Sequence, residues 1–248
     1  MSDIDLGRLA DGYRHRPVTS AELDHAAAPL RSPARPRRGE WALDAGGGPG
    51  AHAAVWARAG VRAVVLDPGR DMAERAALRR GVIPVIATSQ SMPFREGAMA
   101  LVYFHLSLHY GDWREALGEA GRVLRAGREC WIWTMTAAHF RQSWLARWFP
   151  SVPAIDSARF PGVADVVDHL PGAGFESITT AVVTDRVARP AGELVAAVKA
   201  GYISTLQLLS GAELSSGIAA LEAAYPDPAG IVEYELRYDR ITARRSLR

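Results

Sequence analysis

Asp44 stands directly ahead of a glycine cluster, Gly46-Gly47-Gly48-Pro49-Gly50, and a second carboxylate, Asp67, closes the next apolar run. Glycines at such a place let the backbone turn tightly and approach a ligand with no Cβ in the way. A helical pattern, Ala51 to Ala59, follows the cluster. Its first N–H groups and positive dipole end would face whatever the loop holds. Asp44 is placed to accept from a ligand ammonium, directly or through water. Asp67 is placed to accept from both hydroxyls of a ribose. Gly46, Gly48 and Ala51 also satisfy the loose dinucleotide pattern, so the loop alone leaves a nicotinamide cofactor, or a tight turn without ligand, as alternatives.

A second group suits the acceptor side of a reaction. His105 and His109 lie at or just past the end of the fourth apolar run, with Tyr110 adjacent. Ligands in α/β sheets bind beyond the C-terminal ends of strands, and histidine titrates near neutral pH. Both are candidate general bases, against a structural or cofactor-side role. No ligand set with metal spacing completes them, so no metal is expected. Phe140, Trp144 and Trp148 recur every four residues on an expected helix, His139 to Phe149. They make one aromatic face, which either covers an apolar acceptor or packs in the core or a dimer. Trp131 and Trp133 alternate as core residues would, and Tyr13, His15 and Arg16 lie on an N-terminal arm.

These residues need a scaffold, and the pattern supplies one. Strands are expected at Trp41–Ala45, Val61–Leu66, Val82–Ala87, Met99–Leu108 and Glu129–Met135. Helices are expected at Ala51–Ala59, Asp71–Arg80 (Asp71 as N-cap) and Asp112–Leu124. Strand–helix alternation with short connections predicts a Rossmann-like, doubly wound α/β fold. Beyond Thr136 come a helix at Val163–Leu170, a strand at Phe175–Val183, helical stretches near 193–209 and 211–224, and a last strand at Ile231–Thr242. Residues 1–38 then read as an arm or lid. Residues 39–188 and 230–248 read as the cofactor domain, and 189–229 as a helical insertion covering the acceptor site.

Four segments carry a resemblance. Leu43 to Gly50 fits D-x-G-x-G-x-G, and Asp67 fits a ribose-binding acid. Ala87-Thr88-Ser89-Gln90-Ser91-Met92-Pro93-Phe94 is similar to G-[DTS]-A-E-x-L-P-F, and Arg122-Val123-Leu124-Arg125-Ala126-Gly127 to R-V-L-[KR]-P-G. In this order and spacing, from about Tyr13 to Met135, the chain resembles class I S-adenosylmethionine (SAM)-dependent methyltransferases, in the small-molecule group called type 11. The resemblance implies a mostly parallel seven-stranded sheet with its last strand antiparallel. It implies SAM as cofactor, S-adenosylhomocysteine as product and a small-molecule methyl acceptor. By that match Asp44, Gly46, Gly48, Pro49, Gly50, Asp67, Pro68 and Met72 hold SAM, with Thr88, Ser89 and Gln90 at the adenine edge and Tyr13 on a lid. The chain departs where Thr88 and Gln90 stand for an acid, where Ala98-Met99-Ala100 replaces S-F-D, and at Ala126-Gly127-Arg128. Those departures keep a second reading open: a SAM-binding fold that no longer methylates, and catalyses another step such as a cyclisation or acts as a binding or regulatory protein.

Composition narrows the classes. The 248 residues suffice for one large α/β domain, and 48% apolar with 23% charged residues is the balance of a packed globular chain. A formal net charge of +2 and the lack of an aromatic-studded basic patch argue against nucleic acid. The cationic run Arg31 to Arg38 is broken by prolines and reads as linker. With Cys130 alone there is no intrachain disulfide, and no apolar run nears the ~20 residues of a membrane span. A cytoplasmic protein, monomer or homodimer, is expected.

Overall fold

The structure is a computed structural model, and it describes residues 4–16 and 18–247. In chain order its main elements are α1 (Leu6–Gly12), α2 (Ser20–Ala27), β1 (Trp41–Ala45), α3 (Ala51–Arg58), β2 (Arg62–Asp67), α4 (Arg70–Ala77), β3 (Val82–Ile86), β4 (Met99–His105), α5 (Trp113–Val123), β5 (Leu124–Met135), α6 (Ala137–Gln142), α7 (Val152–Arg159), α8 (Val163–His169), β6 (Phe175–Pro190), α9 (Ala191–Lys199), α10 (Gly211–Ala224) and β7 (Ile231–Arg245). The strands form one seven-stranded sheet in the order β3-β2-β1-β4-β5-β7-β6. The first five are parallel, and β7 runs antiparallel to its neighbours. The doubly wound sheet with a reversed last strand is therefore present.

Among the described residues, 18–134, 161–182 and 239–247 form one compact unit, and 4–16, 135–160 and 183–238 another. In the first, register sorts the strands into two faces. Leu43 pairs with Val102, Val102 with Cys130, and Phe104 with Ile132. Side chains alternate along a strand, so these share one face, with Leu117, Val123 and Leu170 in the same core. Each such side chain, fully buried, contributes about 1.5–3 kcal/mol. Asp44 pairs with Tyr103, Tyr103 with Trp131, and His105 with Trp133, which places these five on the opposite face. Trp131 and Trp133 are buried, as the alternation predicted.

Helix ends follow local chemistry. Thr19 and Glu22 close a capping box on α2, and Asp112 caps α5 through its carboxylate. Helix α4 begins at Arg70 with Gly69 as N-cap, one turn position ahead of the expected Asp71, because the Asp67 carboxylate accepts from the Gly69 N–H and sets the turn there. Strand β4 stops at His105, short of Leu108; Leu106 takes a left-handed φ of 53° that ends it.

In the other unit, the expected helix His139–Phe149 is broken. Helix α6 stops at Gln142, Ser143 is extended, and a short 3₁₀ turn spans Leu145–Arg147. Leu145, Phe149, Val152, Val198, Leu206 and Leu221 form that unit's core. No helix among the described residues is long and apolar enough to cross a membrane.

Candidate active site

The glycine loop leaves the end of β1 and enters α3. Gly46 and Gly48 have φ of 71° and 53°, and Gly50, the α3 N-cap, has φ of 75°. At Gly50 a Cβ would also press on Val65 and Ala76 at 3.2 Å, so glycine is required for both conformation and space. The Gly46 N–H donates to the Leu66 carbonyl at 2.7 Å, and Arg79 Nε to the Pro49 carbonyl at 2.5 Å. No side chain caps α3, which leaves its first N–H groups to the loop and its occupant.

Asp44 is 1% exposed, and among the described residues neither carboxylate oxygen has a hydrogen bond of good geometry, the Ala53 N–H being the donor turned toward it. Burial pushes its carboxyl up to about 8, the Ala53 N–H opposes this, and the nearby Asp67 adds to it. Asp67, at the end of β2, accepts from Gly48 N–H at 3.0 Å and Gly69 N–H at 2.8 Å, one on each oxygen. A carboxylate has about four acceptor sites, so both oxygens keep capacity for hydroxyl donors. Burial raises its pKa as well, against those two bonds.

Of the other expected cofactor residues, two follow Asp67 directly in the chain. Pro68 is exposed between Asp67 and Gly69, and Met72 is buried in the first turn of α4. Thr88 is exposed and Ser89 half-buried in a turn after β3, closed by Ser91 N–H to Thr88 carbonyl at 3.2 Å. Gln90 Nε2 donates to the Asp112 carbonyl at 3.1 Å, tying this turn to the start of α5. Tyr13 belongs to the other unit, half-buried, with the Arg16 guanidinium 5.5 Å from its ring centroid.

The two candidate bases differ. His109 is half-buried and packs on Tyr110 at 4.1 Å between ring centroids. His105 is buried among rings: His52 at 4.5 Å, His25 at 5.7 Å, and Tyr103 and Trp133 each at 6.1 Å. The sequence reading missed His25 and His52. Helix α2 brings His25 in because Trp56 Nε1 donates to the Ala26 carbonyl at 2.6 Å and holds α2 on α3. The strand register, which sets Asp44, Tyr103 and His105 on one face under α3, was the available signal for His52. Among the described residues, no group of three or more His, Cys, Asp or Glu is placed to hold a metal ion.

The aromatic face read from 140, 144 and 148 is divided by the break in its helix. Phe140 packs on Phe160 at 5.0 Å, while Trp144 and Trp148 meet each other at 6.4 Å. In the same unit Arg159 donates to Ser204 at 2.9 Å, and Thr205 donates to the buried Asp156 at 2.6 Å.

Residues 43–132 match the family described as "Methyltransferase domain". Over that segment the chain is similar to this SAM-dependent family. Solved structures share the fold of the methyltransferase domain at low identity. A methyltransferase assigned to an antibiotic biosynthesis pathway of Anabaena variabilis is 16% identical over 91% of this chain and 98% of that one, TM-score 0.69. A phosphoethanolamine N-methyltransferase of Haemonchus contortus, in complex with SAM, is 14% identical over 97% and 57%, TM-score 0.62. A geranyl diphosphate C-methyltransferase of Streptomyces coelicolor, in complex with S-adenosylhomocysteine, is 16% identical over 91% and 79%, TM-score 0.56. Comparison with curated protein sequences gives no match.

The geometry fits the family's cofactor. A buried carboxylate without a donor suits the SAM ammonium, a bare glycine backbone admits its amino-acid end, and Asp67 retains acceptor sites for ribose. Two of the domain's sequence motifs also prove to be one device. Arg122 donates to the Phe94 carbonyl at 2.7 Å and the Met92 carbonyl at 2.9 Å, and pairs with Glu119 at 2.6 Å. Glu119 in turn accepts from the Met92 N–H at 2.7 Å. The Arg122-Val123-Leu124 segment thus clamps Met92-Pro93-Phe94 and fixes the turn before it.

Proposed function

We propose that this chain transfers a methyl group from SAM to a small-molecule acceptor and releases S-adenosylhomocysteine. The observation that carries the reading is Asp44: a buried carboxylate with no hydrogen bond of good geometry on either oxygen, beside a loop with no side chains to fill it. An ammonium completes it. In this reading Asp44 takes the ammonium, and Gly46, Gly48, Pro49 and Gly50 line the amino-acid end. Asp67 takes the ribose hydroxyls, Pro68 and Met72 pack toward adenine, and Thr88, Ser89 and Gln90 border its edge. Tyr13 contributes from the arm.

SAM when bound supplies a methyl activated by a sulfonium. The residues of the chain then act by alignment, since direct displacement needs nucleophile, methyl and sulfur in line. For a hydroxyl or acidic-carbon acceptor, His109 is the proposed base, being the less buried of the pair, with His105 behind it. A neutral amine needs neither. The solved relatives named above act on phosphoethanolamine and on geranyl diphosphate, so this fold leaves acceptor choice to residues outside the cofactor loop. Residues 1–38 and 189–229 are proposed to supply that choice here, with an apolar or aromatic metabolite as acceptor. A cytoplasmic monomer or homodimer that uses no nucleic acid and no membrane completes the proposal.

A second reading, SAM binding without methylation, is favoured by one observation: the adenine-edge position holds an exposed Thr88 instead of an acid. The test is thermal unfolding with SAM, S-adenosylhomocysteine and NAD, with Asp67→Ala as control, followed by an acceptor screen with methyl-labelled SAM. A shift of roughly 2.7 kcal/mol at a hundred times the dissociation constant is expected for the SAM compounds and lost in Asp67→Ala. Label transfer to a small molecule supports methylation. Binding with no transfer to any acceptor favours the second reading, and a shift with NAD alone overturns both.

A further inference from the structure

Next to the carboxylate that the ammonium would take lies a set of titratable side chains, of which methyl transfer would call on His105 alone. His52 on α3 sets its Nδ1 3.8 Å from Asp44 Oδ2. The His52 and His105 rings are 4.5 Å apart, and His105 Nε2 lies 3.4 Å from His25 Nδ1 on α2. His25 stacks flat on Trp133 at 3.9 Å. All three imidazoles are buried, at 5–8% exposure. Tyr103 stands beside Asp44 in register and lies parallel to His105, and Asp67 acts on Asp44 from the end of β2. Arg240 stands 5.9 Å from the Trp133 ring. Glu22, buried upstream of His25 on α2, closes the capping box with Thr19.

The charge balance of this set is constrained. With Asp44 ionised and three neutral imidazoles, the chain buries a negative charge that only the Ala53 N–H faces, without a hydrogen bond of good geometry, which is costly. One proton, on the carboxyl or on His52, neutralises it, and such a proton belongs to the set rather than to one residue. An ammonium against Asp44 supplies the same positive charge. Holding both would leave a net positive charge buried.

We propose that docking of the SAM ammonium at Asp44 expels one proton from the Asp44–His52–His105–His25 set, so that cofactor binding is proton-linked. The inference rests on the SAM reading above. In the step an O–H or N–H bond of the set breaks, the proton goes to solvent, the ammonium keeps its own protons, and no electrons change hands. The raised carboxyl of Asp44 is in keeping with this.

The test is titration calorimetry of the full chain with S-adenosylhomocysteine, in buffers of differing ionisation enthalpy across the pH range. Wild type should release about one proton near pH 7 and progressively less in alkaline buffer. 5′-Methylthioadenosine keeps the adenosine and sulfur, lacks the ammonium, and should release none. Asp44→Asn should lose the release. His52→Phe should move its pH midpoint by half a unit or more, roughly 0.7 kcal/mol by the same linkage, while His169→Gln, outside the set, leaves it in place. Equal release with both ligands overturns the inference without any variant, as does release that persists in Asp44→Asn or a midpoint unmoved in His52→Phe. If S-adenosylhomocysteine fails to bind wild type at all, the SAM reading itself falls and takes the inference with it.

Discussion

The Ser107 hydroxyl donates to the Ala45 carbonyl at 2.7 Å, and a Cβ on Gly46 would stand 2.5 Å from the Ser107 Cβ. The loop after β4 is thereby pressed onto the first turn of the glycine loop. Ser107→Ala removes one buried hydrogen bond and should cost about 1 kcal/mol in urea unfolding. Gly46→Ala adds a left-handed φ penalty to the clash and should cost about 2–4 kcal/mol, with loss of S-adenosylhomocysteine binding. Because the two residues touch, Ser107→Gly should recover part of the Gly46→Ala loss. Strict additivity of the two changes would show that the contact is not the cause.

Arg122 holds two carbonyls and one carboxylate, so its removal frees the turn that ends at Phe94. Arg122→Ala should lower stability by about 2 kcal/mol, with Arg122→Lys intermediate because an ammonium cannot span all three acceptors. The Arg122 pairing holds the Glu119 carboxyl below its ordinary value of 4.5. A depressed acid stabilises the fold above its unfolded pKa and ceases to do so as pH falls through its folded one. The stability gap between wild type and Arg122→Ala should therefore be full at pH 6 and shrink below pH 4.5. A gap unchanged down to pH 3 would assign the effect to lost packing.

The sheet was legible in the chain because β1, β2 and β4 are short apolar runs closed by Gly, Asp and His, in alternation with helical patterns. The cofactor loop was legible because glycine types and spacing report backbone geometry directly. The histidine set was not. His52 sits in an alanine-rich helix and His25 in a segment read as an arm, and only the packing of α2 on α3 and of α3 on the sheet brings them to Asp44 and His105. The aromatic repeat at 140, 144 and 148 has helical spacing, but a spacing cannot report the extended Ser143 that divides it. The second turn of α10 against Phe149 was equally silent, since Gly217 reads as a weak point in a helix rather than as a contact.

That contact gives a prediction for the other unit. A Cβ on Gly217 would meet Phe149 Cε1 and the Trp148 carbonyl, the latter at 2.8 Å, and Phe149 is fully buried. In an exposed helix Gly→Ala gains up to about 1 kcal/mol. Here overpacking should outweigh it, for a net loss of about 1–3 kcal/mol in denaturant unfolding. Gly118, on α5, has open space around it and should show the gain. If both substitutions stabilise, α10 does not pack on Phe149 as described.

Asp44 offers the sharpest separation of stability from function. Its folded carboxyl stands at about 8, against 3.8 for the unfolded chain. Between those values the folded state binds the extra proton, so this group's contribution to stability falls as pH rises from 3.8 to about 8 and is level on either side. Asp44→Asn keeps the shape and removes the ionisation. The variant should melt close to wild type near pH 4 and progressively above it up to pH 8, each kcal/mol appearing as roughly 2–4 °C for a chain of this size. It should also bind SAM and S-adenosylhomocysteine more weakly, held by the ribose and adenine contacts that remain, since an amide cannot neutralise an ammonium. A variant that is less stable than wild type across this range would mean that Asp44 is ionised and fully satisfied in the fold, and that the carboxylate is a structural support rather than a site awaiting its cation.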